Sequence, residues 1–137
     1  MQITCLAGLP GSGKSELMWN NKQSGEYVLD DPSMCDTEDL QSTFMWIKRN
    51  SVRIHKLWVA DPQFCLTDVR SHADNKLYTL FGVHPEWWFF ENDPDACMRN
   101  VARRNDGRMV TGMIRSLTPK YKIPTGASVL PIWQPSI

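Results

Sequence analysis

The stretch Gly8-Leu9-Pro10-Gly11-Ser12-Gly13-Lys14-Ser15 constrains the fold of this chain more than any other feature. It matches the pattern GxxxxGK[ST] at every fixed position. In this pattern the glycines let successive backbone N–H groups point into a loop, where they surround phosphate oxygens. The stretch follows the apolar run 3–7 and precedes a helical pattern over 14–21. The sequence therefore predicts a strand, a phosphate-binding loop and a helix whose N-terminus faces the phosphate.

The chemistry of this loop gives each of its residues an expected role, with ATP and Mg²⁺ as the cofactors. Lys14 is expected to reach the outer phosphates, and the Ser15 hydroxyl to bind the magnesium ion. The remaining contacts to the triphosphate come from the main chain around five residues, which are Gly8, Pro10, Gly11, Ser12 and Gly13.

Strand and helix patterns alternate along most of the chain. Buried strands are predicted at 3–7, 27–29, 57–60 and 77–83, and helices at 14–21, at 36 or 37 to 50, and at 67–75. This alternation is typical of an α/β fold of three layers, with a parallel sheet covered by helices on both faces. A chain of 137 residues fits one domain with one core, here a P-loop NTPase or kinase domain over 1–137.

Acidic residues follow two of the predicted strands, and the ends of parallel strands share one edge of a sheet with the phosphate loop. Asp30 or Asp31 is expected to act as general base on an attacking hydroxyl, although Asp-Asp-Pro also begins turns. Asp61 is expected to hold magnesium or its water shell, with the same turn alternative. No Asp-Glu pair follows the third strand, which favours a kinase over a hydrolysing motor or switch.

Four arginines lie in one short segment: Arg99, Arg103, Arg104 and Arg108. The segment 95–112 is predicted to form a lid, hinged at Gly107 and Gly112, that closes over the triphosphate. Arg103 and Arg104 are expected to stabilise the transferring group, and Arg99 and Arg108 to bind the nucleotide. A solvated basic helix face is the alternative interpretation. The segment 119–137 is predicted to be mostly extended, with an edge strand at 128–133.

The aromatic residues and cysteines allow more than one interpretation. Trp87-Trp88-Phe89-Phe90 follows the predicted fourth strand and would either stack on a base or cover a sheet edge or a dimer contact. Trp19, Trp46 and Trp58 are predicted to lie in the core. The four cysteines are interpreted as reduced, buried residues, because none belongs to a CxxC pair.

Three stretches resemble the small P-loop kinases related to bacteriophage polynucleotide kinase. They are 8–15, Asp30-Asp31, and 92–108 with its arginines. The resemblance implies transfer of the terminal phosphate of ATP to a 5′-hydroxyl of nucleic acid, or to the hydroxymethyl group of 5-hydroxymethyluracil in DNA. Other relatives act on small metabolites. The chain departs from the family at 32–35. Members of the family usually carry an arginine soon after the aspartate, whereas here the residues are Pro32-Ser33-Met34-Cys35.

A kinase acting on a DNA hydroxyl is therefore the leading hypothesis. The alternatives are a kinase for a free nucleotide or small metabolite, and a non-catalytic nucleotide-binding regulator. Fifteen basic and fifteen acidic residues cancel, which argues against tight nonspecific binding to duplex DNA. No apolar run is long enough for a bilayer and no signal peptide pattern is present, so the expected location is the cytoplasm, or the host cytoplasm for a phage protein. The oligomeric state stays open.

Overall fold

The computed structural model describes residues 1–32, 38–104 and 110–134. Within these ranges five strands form one sheet in the order β2-β3-β1-β4-β5, and every pairing is parallel. The strands are β1 (Gln2–Ala7), β2 (Glu26–Asp30), β3 (Lys56–Ala60), β4 (Glu86–Phe90) and β5 (Val129–Leu130). The helices are α1 (Lys14–Asn21), α2 (Glu38–Arg49), α3 (Thr67–Phe81), α4 (Pro94–Arg104) and α5 (Thr111–Leu117), with a 3-10 helix at Pro62–Cys65.

The strand order explains the layers. The chain passes from β1 to β2 in one direction across the sheet, and from β2 to β3 and from β3 to β4 in the other. Right-handed connections then place α1 on one face and α2 and α3 on the opposite face. The ring of Phe44 on α2 meets Phe81 on α3 edge-on, with 6.2 Å between centroids. The predicted α/β fold with a parallel sheet is confirmed.

The central strands are buried on both faces, as the short apolar runs predict. Residues 3–7 of β1 and 57–60 of β3 are all buried. Such strands read as continuous apolar runs because helices cover both sides of the sheet. No helix in the described ranges is long and apolar enough to span a membrane.

The predicted strand at 77–83 is wrong, because 77–81 are the last five residues of α3. Val69, Ala73 and Leu77 recur every four residues, and Ala73 and Leu77 are fully buried. That spacing is helical, and it extends the helix beyond its predicted end at 75. The helix stops at Gly82, whose φ of 75° lies in the left-handed region that favours glycine.

The aromatic run forms β4 itself and does not follow the fourth strand. β4 lies between β1 and β5 in the sheet. Successive side chains of a strand point to opposite faces, so the aromatic side chains lie on both faces of the sheet. Trp87 packs edge-on against Phe64 at 4.9 Å, and Trp88 packs against Trp58 at 5.6 Å. The run therefore lies within the sheet, where Trp87 and Phe89 also line a groove with the segment 124–127, and a stacking role stays a prediction.

Two of the three tryptophans predicted for the core lie at the surface. Trp19 is 56% exposed and Trp46 is 49% exposed, whereas Trp58 is buried. On α2 the buried face consists of Leu40, Phe44 and Ile47, which leaves Trp46 on the outer side.

The cysteines agree with their interpretation wherever the structure describes them. Cys5, Cys65 and Cys97 are buried free thiols, and Cys35 lies outside the described residues. Burial raises the pKa of Cys65 and of Cys97 to about 11. Both thiols therefore stay protonated at neutral pH, which makes them poor nucleophiles.

Replacing Phe44 by alanine is expected to lower the free energy of unfolding by about 3–5 kcal/mol, because it leaves a cavity between α2 and the sheet. Trp46→Ala on the same helix is the control and should cost about 1 kcal/mol or less, because that side chain is half exposed. Urea denaturation measures both values. Equal losses would contradict the assignment of the buried face of α2.

Candidate functional site

The loop between β1 and α1 has the backbone that its glycines predict. Gly11 and Gly13 have φ values of 87° and 108°, which are strained for a residue with a Cβ atom. Inside the loop the Ser12 N–H donates to the Leu9 carbonyl oxygen at 3.1 Å. The helix begins directly after the loop, and the Leu17 N–H donates to the Gly13 carbonyl at 3.0 Å. Helix α1 therefore starts at the loop, with its N-terminus turned towards it.

The glycines also allow the loop to lie against its neighbours. A Cβ atom on Gly11 would stand 2.5 Å from the carbonyl oxygen of Cys97 in α4. A Cβ atom on Gly8 would stand 2.6 Å from Ser12 Oγ and 3.0 Å from Phe90 Cβ. Larger residues at these positions would push the loop away from α4 and β4.

The ammonium group of Lys14 lies inside the loop. Its Nζ donates to the carbonyl oxygens of Gly8 at 2.7 Å and of Leu9 at 2.9 Å, and it contacts Ser12 Oγ at 3.4 Å. Burial lowers the pKa of Lys14 below its ordinary value, while the charges of Asp30 and Asp31 oppose that change. The three contacts satisfy the hydrogen bonding of the buried ammonium.

Both predicted carboxylates reach the same cleft as the loop. Ser15 Oγ donates to Asp30 Oδ2 at 2.6 Å. Asp31 has a φ of 55°, and its N–H donates to the Ala60 carbonyl at 2.7 Å. A non-glycine residue in the left-handed region is uncommon, and such conformations concentrate at functional sites. Asp30 and Asp31 both line the cleft together with the loop residues.

The oxygen atoms of Ser15 and Asp30 suit a magnesium ion, which prefers hard oxygen ligands and retains several waters beside substrate phosphates. Asp61, the other expected magnesium residue, is fully buried and caps the 3-10 helix, where its Oδ1 accepts from the Gln63 N–H at 2.9 Å. Its neighbours Ala60 and Pro62 line the cleft, whereas Asp61 does not. A role for Asp61 towards the metal stays a prediction.

The arginines of α4 lie on two faces of the helix. Arg104 lines the cleft, and its Nη2 lies 3.7 Å from Glu16 Oε1 of α1. Arg99 and Arg103 are exposed and do not line the cleft. Arg108 and the expected hinge Gly107 lie outside the described residues. The other expected hinge, Gly112, lies in the first turn of α5.

Glu16 belongs to no motif that would select it as a site residue from the sequence alone. One of its oxygens pairs with Arg104, and the other, Oε2, is buried and has no hydrogen-bond partner among the described residues. The pair holds the Arg104 guanidinium beside the mouth of the cleft.

The cleft has both polar and apolar walls. Among the residues that the structure describes, twelve line it: Pro10, Gly11, Gly13, Lys14, Ser15, Asp30, Asp31, Ala60, Pro62, Arg104, Val110 and Met113. A larger groove of about 650 Å³ lies elsewhere, between α3, β4 and the segment 124–127, and contains none of the residues of the motif.

Comparison with known proteins supports the fold. No family model matches the chain, and no curated protein matches it. Among solved structures it is similar to the crystal structure of a gluconokinase from Sinorhizobium meliloti 1021, with a TM-score of 0.58 and 14% sequence identity. The match covers 98% of this chain and 83% of that chain. This likeness shows a P-loop kinase fold, and it does not support the finer resemblance to phage polynucleotide kinase.

Gly11→Ala is expected to weaken triphosphate binding at least about tenfold, because the new methyl group meets the Cys97 carbonyl and displaces the loop. Gly82→Ala is the matched control. It imposes a similar backbone strain, at a φ of 75°, but meets no atom within 4 Å. Calorimetric titration with Mg-ATP compares the two variants. Equal affinities for both would show that contact between the loop and α4 is not needed for binding.

Proposed function

We propose that this protein is an ATP-dependent kinase that transfers the γ-phosphoryl group to an alcohol hydroxyl, with a small molecule as the favoured acceptor. The observation that carries the proposal is the 2.6 Å contact between Ser15 Oγ and Asp30 Oδ2. It joins the phosphate loop to the carboxyl end of β2, where a second carboxylate, Asp31, enters the same cleft. A phosphate cradle and a candidate base thus lie side by side.

The residues of the cleft can each take a separate role in phosphoryl transfer. The loop N–H groups and Lys14 would bind the phosphates once the ammonium exchanges its carbonyl partners for phosphate oxygens. Ser15 and Asp30 would hold the magnesium ion and its waters, and this ion neutralises charge on the β- and γ-phosphates when bound. Arg104 would place a guanidinium beside the transferring group.

The acceptor hydroxyl forms its new bond through oxygen to the γ-phosphorus. The bond between this phosphorus and the β–γ bridging oxygen breaks, and ADP leaves with that electron pair. The hydroxyl proton passes to a carboxylate, and we assign this role to Asp31. Asp30 is engaged with the Ser15 hydroxyl, whereas the left-handed conformation of Asp31 turns the chain at the end of β2. The role is mainly one of positioning, since the transition state is loose.

Two observations support a small acceptor over a strand of DNA. In the described part of the chain the cleft is lined by two cationic side chains, Lys14 and Arg104, beside apolar residues that include Val110 and Met113. The solved structure that shares the fold is named a gluconokinase, which is a kinase for a small molecule. A hydroxyl of DNA is the competing hypothesis.

A transfer assay with γ-labelled ATP and Mg²⁺ tests the proposal. The acceptors are sugar acids, other polyols, nucleosides, 5′-hydroxyl oligonucleotides and hydroxymethyluracil DNA with blocked 5′ ends. Label is expected on a small-molecule acceptor. Label on DNA alone would show that the acceptor is a hydroxyl of DNA and not a small molecule. Binding of ATP without transfer to any acceptor would favour the non-catalytic regulator.

Lys14→Ala should abolish transfer in this assay, because it removes the cation from the loop. Lys56→Ala is the control, since Lys56 lies at the opposite end of the sheet, where its Nζ contacts the Trp58 ring at 3.8 Å. The control should retain its rate. Full activity in Lys14→Ala would refute the assignment of the loop.

Asp30→Asn and Asp31→Asn should fail in different ways. Asp31→Asn is expected to lower kcat by about 100-fold or more, because the proton of the acceptor loses its carboxylate. Asp30→Asn is expected to raise the Mg²⁺ concentration needed for half-maximal rate, and excess Mg²⁺ should restore part of the activity. Rates measured across a magnesium titration separate the two effects. Equal, small losses would remove both assignments, and the reverse pattern would exchange them.

A further inference from the structure

One buried amide joins the phosphate loop to a distant segment of the chain. Asn100 lies in α4 and is 5% exposed. Its Nδ2 donates to the carbonyl oxygen of Gly11 at 2.9 Å and to that of Trp133 at 2.7 Å. Both amide hydrogens therefore have main-chain acceptors, one 89 and the other 33 residues away along the chain. Because both amide hydrogens have acceptors, the polar side chain is stable in its buried position.

The segment 131–134 lies directly against the loop. The Trp133 N–H donates to the Ser12 carbonyl oxygen at 2.9 Å. A Cβ atom on Gly13 would stand 2.2 Å from the Cβ atom of Trp133, so only glycine permits this approach. Glu91 anchors the segment to the end of β4, because its Oε1 accepts from the Ile132 N–H at 3.2 Å.

These contacts fix the orientation of peptide groups in the loop. In a trans peptide the carbonyl oxygen and the following N–H point in opposite directions. The Ser12 carbonyl points at Trp133, so the Gly13 N–H is directed away from Trp133 and stays available to a ligand. Donors that are oriented before a ligand arrives cost less to organise during binding.

We propose that Asn100 is a positioning residue that clamps the phosphate loop against the segment 131–134, and that this segment is the back wall of the phosphate site. The inference rests on the proposed function, in that the loop binds a triphosphate. Asn100 does not touch the phosphates. It acts through the carbonyl groups of Gly11 and Trp133, which it holds on the outer side of the loop.

Asn100→Asp tests the clamp, because it keeps the side-chain shape and replaces the donor by an oxygen that faces two carbonyls. Asn100→Ala runs in parallel, since it removes the donor without adding a charge. Asn92→Asp is the matched control. Asn92 Nδ2 also donates to two main-chain carbonyls, of Thr118 at 2.9 Å and Tyr121 at 3.4 Å, but neither residue belongs to the loop or to the segment 131–134.

Calorimetric titration is performed with Mg-ATP and, separately, with inorganic tripolyphosphate, which probes the loop without a nucleoside. Both Asn100 variants are expected to bind either ligand at least about tenfold more weakly than the unaltered protein, and the Asn92 variant within about twofold of it. In the transfer assay the KM for ATP should rise while kcat changes little, because the loop binds phosphates before and during transfer alike.

Hydrogen exchange without ligand provides an independent measure. The amides of Gly13 and Trp133 should exchange faster in the Asn100 variants than in the Asn92 variant. Unchanged affinity and exchange in folded Asn100 variants would overturn the clamp, and so would equal losses in the Asn92 variant. Failure of the unaltered protein to bind either phosphate ligand would instead sink the proposed function, and the exchange rates would still decide whether the clamp exists.

Discussion

The buried ammonium of Lys14 is the charge around which the site is organised. A cation removed from water requires close acceptors, and here the carbonyl oxygens of Gly8 and Leu9 supply them at 2.7 and 2.9 Å. These contacts lie within the loop itself and stabilise its curved shape. A polyphosphate offers the same ammonium stronger, charged acceptors. Under the proposed function, binding of a polyphosphate would exchange these carbonyl acceptors for phosphate oxygens.

The sheet topology brings the remaining groups to this charge. β3 separates β1 from β2, yet all three strands are parallel, so the loop after Ala7 and the carboxylate of Asp30 share one edge. The contact from Ser15 to Asp30 closes the gap across the intervening strand. On the opposite side of the loop, Asn100 and Trp133 provide a wall made of hydrogen bonds to carbonyl groups. The motif thus contacts β2 through Asp30 and also contacts Asn100 and Trp133.

Patterns in short stretches of sequence predicted the parts of this site whose residues are close together along the chain. The phosphate loop, its strand and helix, and the two aspartates after β2 follow from spacing and residue type alone. The strand prediction at 77–83 is wrong because the predicted helix ends at 75. The apolar residues that follow then fit a strand, although they belong to α3. The aromatic run was placed beyond the sheet for the same reason. Asn100 and Glu16 left no signal, because their partners lie far away in the sequence.

The most direct test of this account is a crystal structure of the protein with Mg²⁺ and a non-hydrolysable ATP analogue. Lys14 Nζ should leave the carbonyl oxygens of Gly8 and Leu9 and lie about 3 Å from an oxygen of the β- or γ-phosphate. The contacts of Asn100 with Gly11 and Trp133 should persist. A complex in which the analogue binds elsewhere, while Lys14 keeps its carbonyl partners, would contradict the assignment of the loop as a phosphate site.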